Sequence, residues 1–313
     1  MAARDCRRAP PGGRGAGFYD DAVRALVLDA DREPALAELP EPSGDGELVR
    51  VLACGLCGTD VQKIGRAAPG TVLGHEVVAE DAGGRRVAVV HHLPCSECER
   101  CRAGHETTCE RFPAPTIVPG GFAERAWAAA TVPLPDGLDD AAGTFAEPLA
   151  CVLRALERVP RGRVLVVGCG FAGLLFVQAL VRRSDDVYAA DPLPHRLDLA
   201  LGYGAAPANG PVDAAVLCTH AGLDAALAAL EPGGTLLLFS WLTEPAPVDF
   251  EAVLRRELSL VGSCSATPAA MREAVALLPG LDPIPTVTLP LERFVEGLDL
   301  YRSHEAVKVV LAP

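Results

Sequence analysis

The pattern of hydrophobic and polar positions changes near residue 164. Before it, short apolar runs with strand composition alternate with turn residues. These runs are Val23–Leu28, Leu48–Ala53, Val77–Ala79 and Arg86–Val90. Their length and spacing predict a small, mostly antiparallel β-domain. A helix that begins near Asp139 and carries Glu147 is predicted to follow them.

Beyond residue 164, strand-like and helix-like segments alternate along the chain. The predicted strands are Val164–Val167, Val187–Asp191, Val212–Cys218, Thr235–Phe239 and Leu258–Gly262. Helices Leu174–Val181 and Gly222–Leu230 lie between strands, and a helix (Met271–Leu278) and a strand (Val307–Leu311) follow. This alternation predicts a parallel sheet with helices on both faces, and therefore the α/β class.

The length and net charge of the chain exclude some classes of function and favour others. A chain of 313 residues is long enough for two domains. Lys and Arg number 28 against 41 Asp and Glu, and the net charge of −13 argues against a nucleic-acid partner and favours a small-molecule one. The uncharged run Val164–Val181 is long enough to be considered as a transmembrane segment. The glycines near its start favour a buried strand, turn and helix instead. We therefore expect no membrane segment.

Cysteine usage indicates a reducing compartment and a metal. The chain has 11 cysteines, an odd number, and four of them form the pattern Cys95-x2-Cys98-x2-Cys101-x7-Cys109. Four thiolates at this spacing can enclose one Zn²⁺ tetrahedrally, whereas chance clustering or paired disulfides are the alternatives. We predict a structural zinc here and a cytoplasmic location. The lead at residues 1–22 is rich in Gly, Pro and Arg and lacks the apolar stretch of a signal peptide.

A second group of metal-ligating residues is dispersed along the chain. Cys57 lies in Cys54-Gly55-Leu56-Cys57-Gly58-Thr59-Asp60, His75 and Glu76 follow Gly74, and Glu147-Pro148 comes much later. One thiolate, one imidazole and one or two carboxylates can form a zinc site with a position left for water or substrate. The neighbouring His91 and His92 are expected to be packed or solvated. Cys151, Cys169, Cys218 and Cys264 are expected to be small core residues.

The segment Gly168-Cys169-Gly170-Phe171-Ala172-Gly173 directly follows a predicted strand and opens a helix. In that context the first glycine makes a tight turn, the second lets the backbone approach a pyrophosphate, and Gly173 allows close packing of helix on strand. Phe171 and Ala172 are candidate cofactor-binding residues of this segment, and the free N–H groups at the start of the helix can bind phosphate oxygens. The segment therefore predicts a dinucleotide-binding loop.

The acidic residue after the next strand suggests which dinucleotide binds. Asp191 can accept hydrogen bonds from the ribose hydroxyls and would repel a 2′-phosphate, which favours NAD. Arg196 lies nearby and can pair with a phosphate instead, so NADP stays the alternative.

With these motifs in this order, the chain resembles the zinc-dependent medium-chain dehydrogenases/reductases, a family that is similar to alcohol dehydrogenase. The resemblance extends over Val23–Pro313. Glu147-Pro148-Leu149-Ala150 is most similar to the sorbitol/polyol dehydrogenase branch. The resemblance implies a GroES-like, mostly β catalytic domain at residues 23–148, completed by residues 266–313. A Rossmann domain with a doubly wound parallel sheet would occupy residues 149–265, and a flexible lead residues 1–22.

The resemblance also implies roles for individual residues. Cys57, His75 and Glu76 would bind the catalytic zinc, and Glu147 would either bind it or hold a water beside it. Thr59 would be the proton-relay hydroxyl, and Asp60 would orient the histidine ligand.

Two features depart from the family pattern. Many members carry a histidine a few positions after the cysteine motif, where this chain has Gln62. A proton relay would then run from Thr59 through the cofactor ribose or water. The stretch between Gly204 and Val212 is also short, which predicts a trimmed cofactor domain.

The sequence thus predicts an enzyme that transfers a hydride from a secondary alcohol, polyol or sugar-like, to NAD. It would hold a catalytic and a structural Zn²⁺ and act as a homodimer or homotetramer. Two alternatives stay open: a cyclitol or amino-alcohol dehydrogenase of the same family, and an NAD-binding sensor that retains the fold without turnover.

Overall fold

The computed structural model describes residues 22–44, 46–112, 115–240 and 245–313. Of the predicted lead at residues 1–22, only Ala22 falls within these ranges, where it begins the first strand; residues 1–21 lie outside them. The described chain builds one six-stranded sheet, one eight-stranded sheet and a two-stranded sheet.

In chain order the strands are β1 (Ala22–Leu28), β2 (Pro34–Pro40), β3 (Glu47–Gly55), β4 (Glu76–Glu80), β5 (Arg86–Val89), β6 (Ile117–Val118), β7 (Arg125–Ala128), β8 (Thr131–Pro133), β9 (Arg163–Val167), β10 (Asp186–Ala190), β11 (Ala206–Pro207), β12 (Val212–Leu217), β13 (Leu230–Leu238), β14 (Ser259–Gly262), β15 (Thr286–Pro290) and β16 (Lys308–Ala312). The α-helices are α1 (Gly58–Lys63), α2 (Glu99–Arg102), α3 (Asp140–Gly143), α4 (Ala146–Leu156), α5 (Phe171–Arg182), α6 (Pro194–Gly202), α7 (Leu223–Ala229), α8 (Phe250–Arg255), α9 (Pro268–Leu277) and α10 (Phe294–Arg302).

The eight-stranded sheet joins the two ends of the described chain. β16 pairs with β3 in antiparallel fashion, with Leu311 opposite Cys54, and β3 pairs on its other side with β4, with Gly55 opposite Glu76. All pairs in this sheet are antiparallel except β15 with β16. The C-terminal strand therefore lies beside the strand that leads to Cys57.

The six-stranded sheet is parallel and follows the order β11-β10-β9-β12-β13-β14. The chain proceeds outwards from β9 in one direction, then returns and continues from β12 in the other. Such a reversal opens a crevice at the carboxyl ends of the two central strands, where ligands bind in doubly wound folds. The glycine loop at residues 168–173 leaves β9 at this point.

The segment around Asp139 differs from the prediction of one helix. It forms two helices: Asp139 caps α3 by accepting hydrogen bonds from the N–H groups of Ala141 and Ala142, and α4 begins separately at Ala146. Pro148 has no N–H group and is tolerated only in the first turn of a helix. A helix that contains it must therefore start just before it, which places Glu147 in the first turn of α4.

The shortened stretch of the cofactor domain contains no crossover helix. Residues 208–211 connect the two-residue strand β11 directly to β12. Within the described ranges, no helix is long and apolar enough to cross a membrane.

Candidate functional site

A cleft of about 1190 Å³ lies between the two main sheets and brings the two predicted sites together. On one side it is lined by Cys57, Thr59, His75, Glu76 and Glu147. On the other it is lined by Gly168, Gly170, Phe171, Ala172, Asp191 and Arg196. Residues that are far apart in the sequence thus line one cavity.

The donor atoms of Cys57, His75 and Glu76 lie within 4.8 Å of one another. Local backbone geometry makes this possible. Gly74 has φ +92°, and a Cβ on it would lie 2.8 Å from both Cys54 Sγ and Phe122 N, so only glycine fits before His75. A thiolate, an imidazole and a carboxylate suit Zn²⁺ with a further position left open. The carboxylate of Glu147 lies outside this group of three.

Asp60 fixes the histidine of this group. Its Oδ1 lies 3.3 Å from His75 Nδ1 and accepts a hydrogen bond of 3.1 Å from Gly74 N, while its Oδ2 accepts one of 3.2 Å from Cys57 N. Burial alone would raise the pKa of Asp60, but the His75 ring and these hydrogen bonds lower it. The carboxylate stays charged and leaves Nε2 of His75 available for a metal.

Lys308 completes the charge balance and was not predicted from the sequence. It forms an ion pair with Glu76 Oε2, and both side chains are 2% exposed. The same ammonium donates to the Leu56 carbonyl at 3.3 Å and lies 4.2 Å from the centre of the Phe171 ring. The sequence does contain one signal for it: Lys308 is the single charged residue in the apolar strand Val307–Leu311. Lys308 therefore lies between the Glu76 carboxylate and the glycine loop.

Glu147 faces the cleft from the first turn of α4 and is held by Cys151, one turn later. The Cys151 thiol donates to Glu147 Oε1 at 3.3 Å. Burial, together with the charge of Glu76, raises the pKa of Glu147, although His75 opposes that rise. The expectation that Cys151 is a plain core residue was incomplete, because the thiol lines the cleft.

Thr59 and Gln62 line the cleft from helix α1. The Thr59 hydroxyl donates to Cys57 Sγ at 3.3 Å and so lies directly beside the group of three donor residues. Gln62 also lines the cavity, but its amide does not take up or release a proton near neutral pH. The Thr59 hydroxyl is therefore a protic group that the structure places next to the donor atoms.

His91 packs against the histidine of the donor group. The ring centres of His75 and His91 lie 4.7 Å apart. Burial, followed by the charge on His75, lowers the pKa of His91 to about 3, so this imidazole is neutral. It lines the cleft but is not a member of the donor group. Cys264 corrects another expectation: it is exposed in the loop after β14 rather than packed in the core.

The four-cysteine lobe forms a closed donor set. The sulfur atoms of Cys95, Cys98, Cys101 and Cys109 lie within 4.8 Å of one another. Backbone N–H groups point at them: Cys98 N donates to Cys95 Sγ at 3.3 Å, and Cys101 N donates to Cys98 Sγ at 3.4 Å. Such donors favour thiolates, and the N–H groups of Glu110 and Cys101 lower the pKa of Cys98 to about 6. Four clustered thiolates fit a structural Zn²⁺.

The glycine loop has the geometry that a dinucleotide requires. Gly168 has φ +92°, and a Cβ on Gly173 would lie 1.9 Å from the Gly168 carbonyl oxygen, so both positions require glycine. A Cβ on Gly170 would meet only Arg196 Nη1, at 3.7 Å, which leaves its face open to a ligand. Gly173 itself packs behind the loop and does not line the cleft.

Asp191 is anchored to the same loop. Its Oδ2 accepts a hydrogen bond of 2.7 Å from Cys169 N, and its Oδ1 accepts one of 2.8 Å from Leu193 N. Each carboxylate oxygen keeps capacity for a further hydrogen bond. The residue therefore presents a fixed negative charge at the edge of the loop.

Comparison with known proteins agrees with this geometry. Residues 44–136 match the model of the "Alcohol dehydrogenase GroES-like domain" family. D-altritol 5-dehydrogenase of Agrobacterium fabrum is 33% identical over 290 residues, which cover 78% of this chain and 84% of that protein. The chain belongs to the zinc-dependent medium-chain dehydrogenase/reductase family. This dehydrogenase is also 26% identical to D-arabinitol dehydrogenase 1 of Uromyces fabae, over 93% of this chain and 97% of that protein.

A solved structure supports the fold of this dehydrogenase. Acetophenone reductase from Geotrichum candidum, determined in complex with NAD, superposes with a TM-score of 0.86. The superposition covers 95% of this chain and 99% of that one, although the sequences are only 20% identical. The predicted combination of a GroES-like domain and a parallel-sheet dinucleotide domain is thereby confirmed, as is the prediction of a zinc-containing alcohol dehydrogenase.

Proposed function

We propose that this dehydrogenase oxidises a secondary alcohol of a polyol or sugar-like substrate with NAD as hydride acceptor. One observation carries the proposal. The donor group of Cys57, His75 and Glu76 and the glycine loop line the same cleft. Altritol and arabinitol, in the names of two relatives, are polyols, which supports this substrate class.

The residues of the cleft divide the work of the reaction. Cys57, His75 and Glu76 would hold a catalytic Zn²⁺, which when bound polarises the substrate hydroxyl as a Lewis acid. NAD supplies the acceptor for the hydride of the carbinol carbon. Thr59 accepts and passes on the hydroxyl proton, because its own hydroxyl is beside the donor group. Lys308 balances the charge of Glu76, and Cys151 orients Glu147 towards the cleft.

The two donor groups predict about two zinc ions per chain, one in the open site and one in the four-cysteine lobe. Cys57→Ala should lower the zinc content to about one ion and abolish activity without unfolding the protein. Metal analysis of both purified proteins measures this. Unchanged zinc content in the variant would contradict a zinc site at Cys57, His75 and Glu76. Cys218→Ala, at a thiol that belongs to neither donor group, is the matched control.

Asp191 supports a preference for NAD over NADP. Asp191→Gly should weaken NAD binding by about 10- to 100-fold, the usual effect of losing a hydrogen bond to a charged group, and should relax discrimination against NADP. Asp191→Asn removes the negative charge but keeps one oxygen that can accept a hydrogen bond from the loop N–H groups. It therefore separates the effect of the charge from the effect of the hydrogen bonds that hold the side chain against the loop. Titration of NADH and NADPH fluorescence measures both effects. A wild-type enzyme that prefers NADP would contradict this role for Asp191.

We also propose the domain bounds, the assembly and the location. Membership of the two sheets supports a catalytic unit of residues 23–148 and 266–313 and an NAD-binding unit of residues 149–265. The edge strand β14 has exposed residues and pairs on only one side among the described strands, which supports a homodimer or homotetramer. The cluster of four unpaired thiols at Cys95, Cys98, Cys101 and Cys109 supports a cytoplasmic location.

The test of the proposed function is NAD reduction by zinc-loaded enzyme over a panel of polyols, cyclitols and amino alcohols. The proposal predicts the highest kcat/KM for a polyol or a sugar-like alcohol. A higher value for a cyclitol or an amino alcohol would change the substrate class. NAD binding without turnover on any alcohol would indicate a sensor instead.

A further inference from the structure

A side pocket of about 330 Å³ lies beside the main cleft and has no role in the reaction described above. The two cavities share a wall, since both are lined by Phe239, Ser240, Ser263 and Cys264. Burial, followed by the charge of Glu147, raises the pKa of Cys264, so this wall lies close enough to Glu147 for its charge to act there. A substrate in the cleft therefore has a second cavity next to it.

The lining of the side pocket is cationic and rich in hydroxyl groups. Arg154 and Arg158 contribute two guanidinium groups, and none of the described residues that line the pocket is an Asp or a Glu. Four hydroxyl side chains line it as well: Thr107, Thr108, Ser240 and Ser263. The pocket thus contrasts with the chain as a whole, whose net charge is −13. Guanidinium and hydroxyl donors together suit a carboxylate or a phosphate.

Several of these donors are free to bind a ligand. Arg154 Nη1 donates to Glu157 Oε2 at 2.9 Å, but the Glu157 side chain is 63% exposed, and an exposed ion pair holds an arginine only weakly. The Nε and Nη2 groups of Arg154 form no hydrogen bond within the described part of the chain. Arg158 donates through Nη1 to the Gly262 carbonyl and forms no ion pair with any residue that the structure describes.

Helix α4 places the two arginines in line with the group that faces the donor site. Glu147, Cys151, Arg154 and Arg158 follow one another at intervals of four, three and four residues, which is the spacing of one helix face. Glu147 and Cys151 line the main cleft, whereas the two arginines line the side pocket. With a rise of about 1.5 Å per residue, the Arg154 backbone lies about 10 Å beyond that of Glu147. A substrate of several carbons can therefore extend from one cavity towards the other.

The main cleft also contains cations, and these differ from the arginine pair. Lys308 is paired with Glu76, and Arg196 lies at the glycine loop, 3.7 Å from the position of a Cβ on Gly170. Lys63 lines the cleft from the last residue of α1 and is the competing position for an anion on the substrate. An ammonium is a single point charge, whereas a guanidinium directs several donors at the oxygens of one anion.

We propose that the side pocket binds an anionic group of the substrate, a carboxylate or a phosphate, through Arg154 and Arg158. The inference rests on the proposed function, because it concerns the substrate of the same reaction. Within the polyol and sugar-like alcohols, it selects a sugar acid or a phosphorylated polyol over a neutral polyol. Attachment at two points determines which of several hydroxyl groups lies at the Cys57, His75 and Glu76 donor group.

Rates of NAD reduction by zinc-loaded enzyme on matched substrates test this subsite. The substrates are a hexitol, the hexonate of the same configuration, its uncharged hexonamide and the hexitol phosphate, each in several configurations. We expect one of the two anions to exceed both the hexitol and the hexonamide in kcat/KM by about 10- to 100-fold, since a hydrogen bond to a charged group has this magnitude. The anion with the higher value identifies the group that the pocket binds.

Variants assign this preference to the arginines. Arg154→Gln and Arg158→Gln should each lower the ratio of kcat/KM for the anion to kcat/KM for the hexitol by about 10-fold. Glu157→Gln is the matched control, because it breaks the ion pair of Arg154 but keeps the arginine, and it should keep the wild-type ratio. An unchanged melting temperature confirms that each variant is folded.

Three results would contradict part of this account. Equal kcat/KM for the hexitol, the hexonate and the hexitol phosphate would overturn the anion subsite. A preference that is lost in Lys63→Met but kept in Arg154→Gln and Arg158→Gln would overturn its assignment to the side pocket. Turnover of none of these substrates by a protein that binds zinc and NAD would instead overturn the proposed function itself.

Discussion

Thr59→Val is expected to lower kcat for alcohol oxidation by about 10²–10⁴-fold, the usual contribution of general acid–base assistance. Valine keeps the shape of threonine but removes the hydroxyl that lies 3.3 Å from Cys57 Sγ. The substrate proton then loses its first acceptor on the way to solvent. Zinc content and NAD affinity should change little, because Thr59 is not among the metal-ligating residues. The measurement is kcat against pH on the best alcohol.

Two further variants serve as controls for the Thr59→Val measurement. Thr59→Ser restores a hydroxyl at the same position and should recover most of the turnover. Gln62→His should alter turnover much less than the loss of Thr59, and mainly near the pKa of histidine, because Gln62 lines the same cavity but is not one of the three donor residues. Full turnover by Thr59→Val would mean that the proton leaves by another route.

Lys308→Met is expected to destabilise the protein by about 3–5 kcal/mol when the open metal site is empty, the usual cost of removing one partner of a buried ion pair. The Glu76 side chain, which is 2% exposed, would lose its counter-ion. Zn²⁺ binding should restore part of the loss, because the metal supplies positive charge to the same carboxylate. Denaturant titration before and after zinc loading measures both free energies of unfolding.

The chain provides a matched control for this variant. Lys63 is the other lysine of the chain and is exposed at the end of α1, so Lys63→Met should change the free energy of unfolding by less than about 0.5 kcal/mol. The double variant with Glu76→Gln should be more stable than Lys308→Met alone, since it removes the uncompensated charge. A Lys308→Met protein with wild-type stability in the metal-free state would contradict the role of this ion pair.

Local patterns were sufficient to predict the parts of the site that come from continuous motifs. The structure gives a reason for two glycines of these motifs, because a Cβ on Gly55 would meet the Glu76 carboxylate and Gly74 has φ +92°. The pairing of β3 with β4 then brings Glu76 opposite Gly55. The glycine loop and Asp191 likewise follow from a strand, a turn and a helix in sequence.

Residues contributed by long-range pairing could not be found in this way. Lys308 reaches Glu76 only because β16 returns to lie beside β3, and Tyr301 reaches Gly58 through the helix before that strand. No local periodicity encodes which strands become neighbours. The break between α3 and α4 differs from the single predicted helix, because Pro148 is tolerated only in the first turn of a helix and so limits where α4 can start.

The most direct test of the account is the initial rate of NAD reduction on the best polyol, compared between wild type and Cys57→Ala, with both proteins carrying zinc in the four-cysteine lobe. The account predicts NADH formation by the wild type and its loss in the variant, because Cys57 is one of the three donors of the open site. A Cys57→Ala protein that forms NADH at the wild-type rate would contradict a zinc-dependent reaction at this cleft.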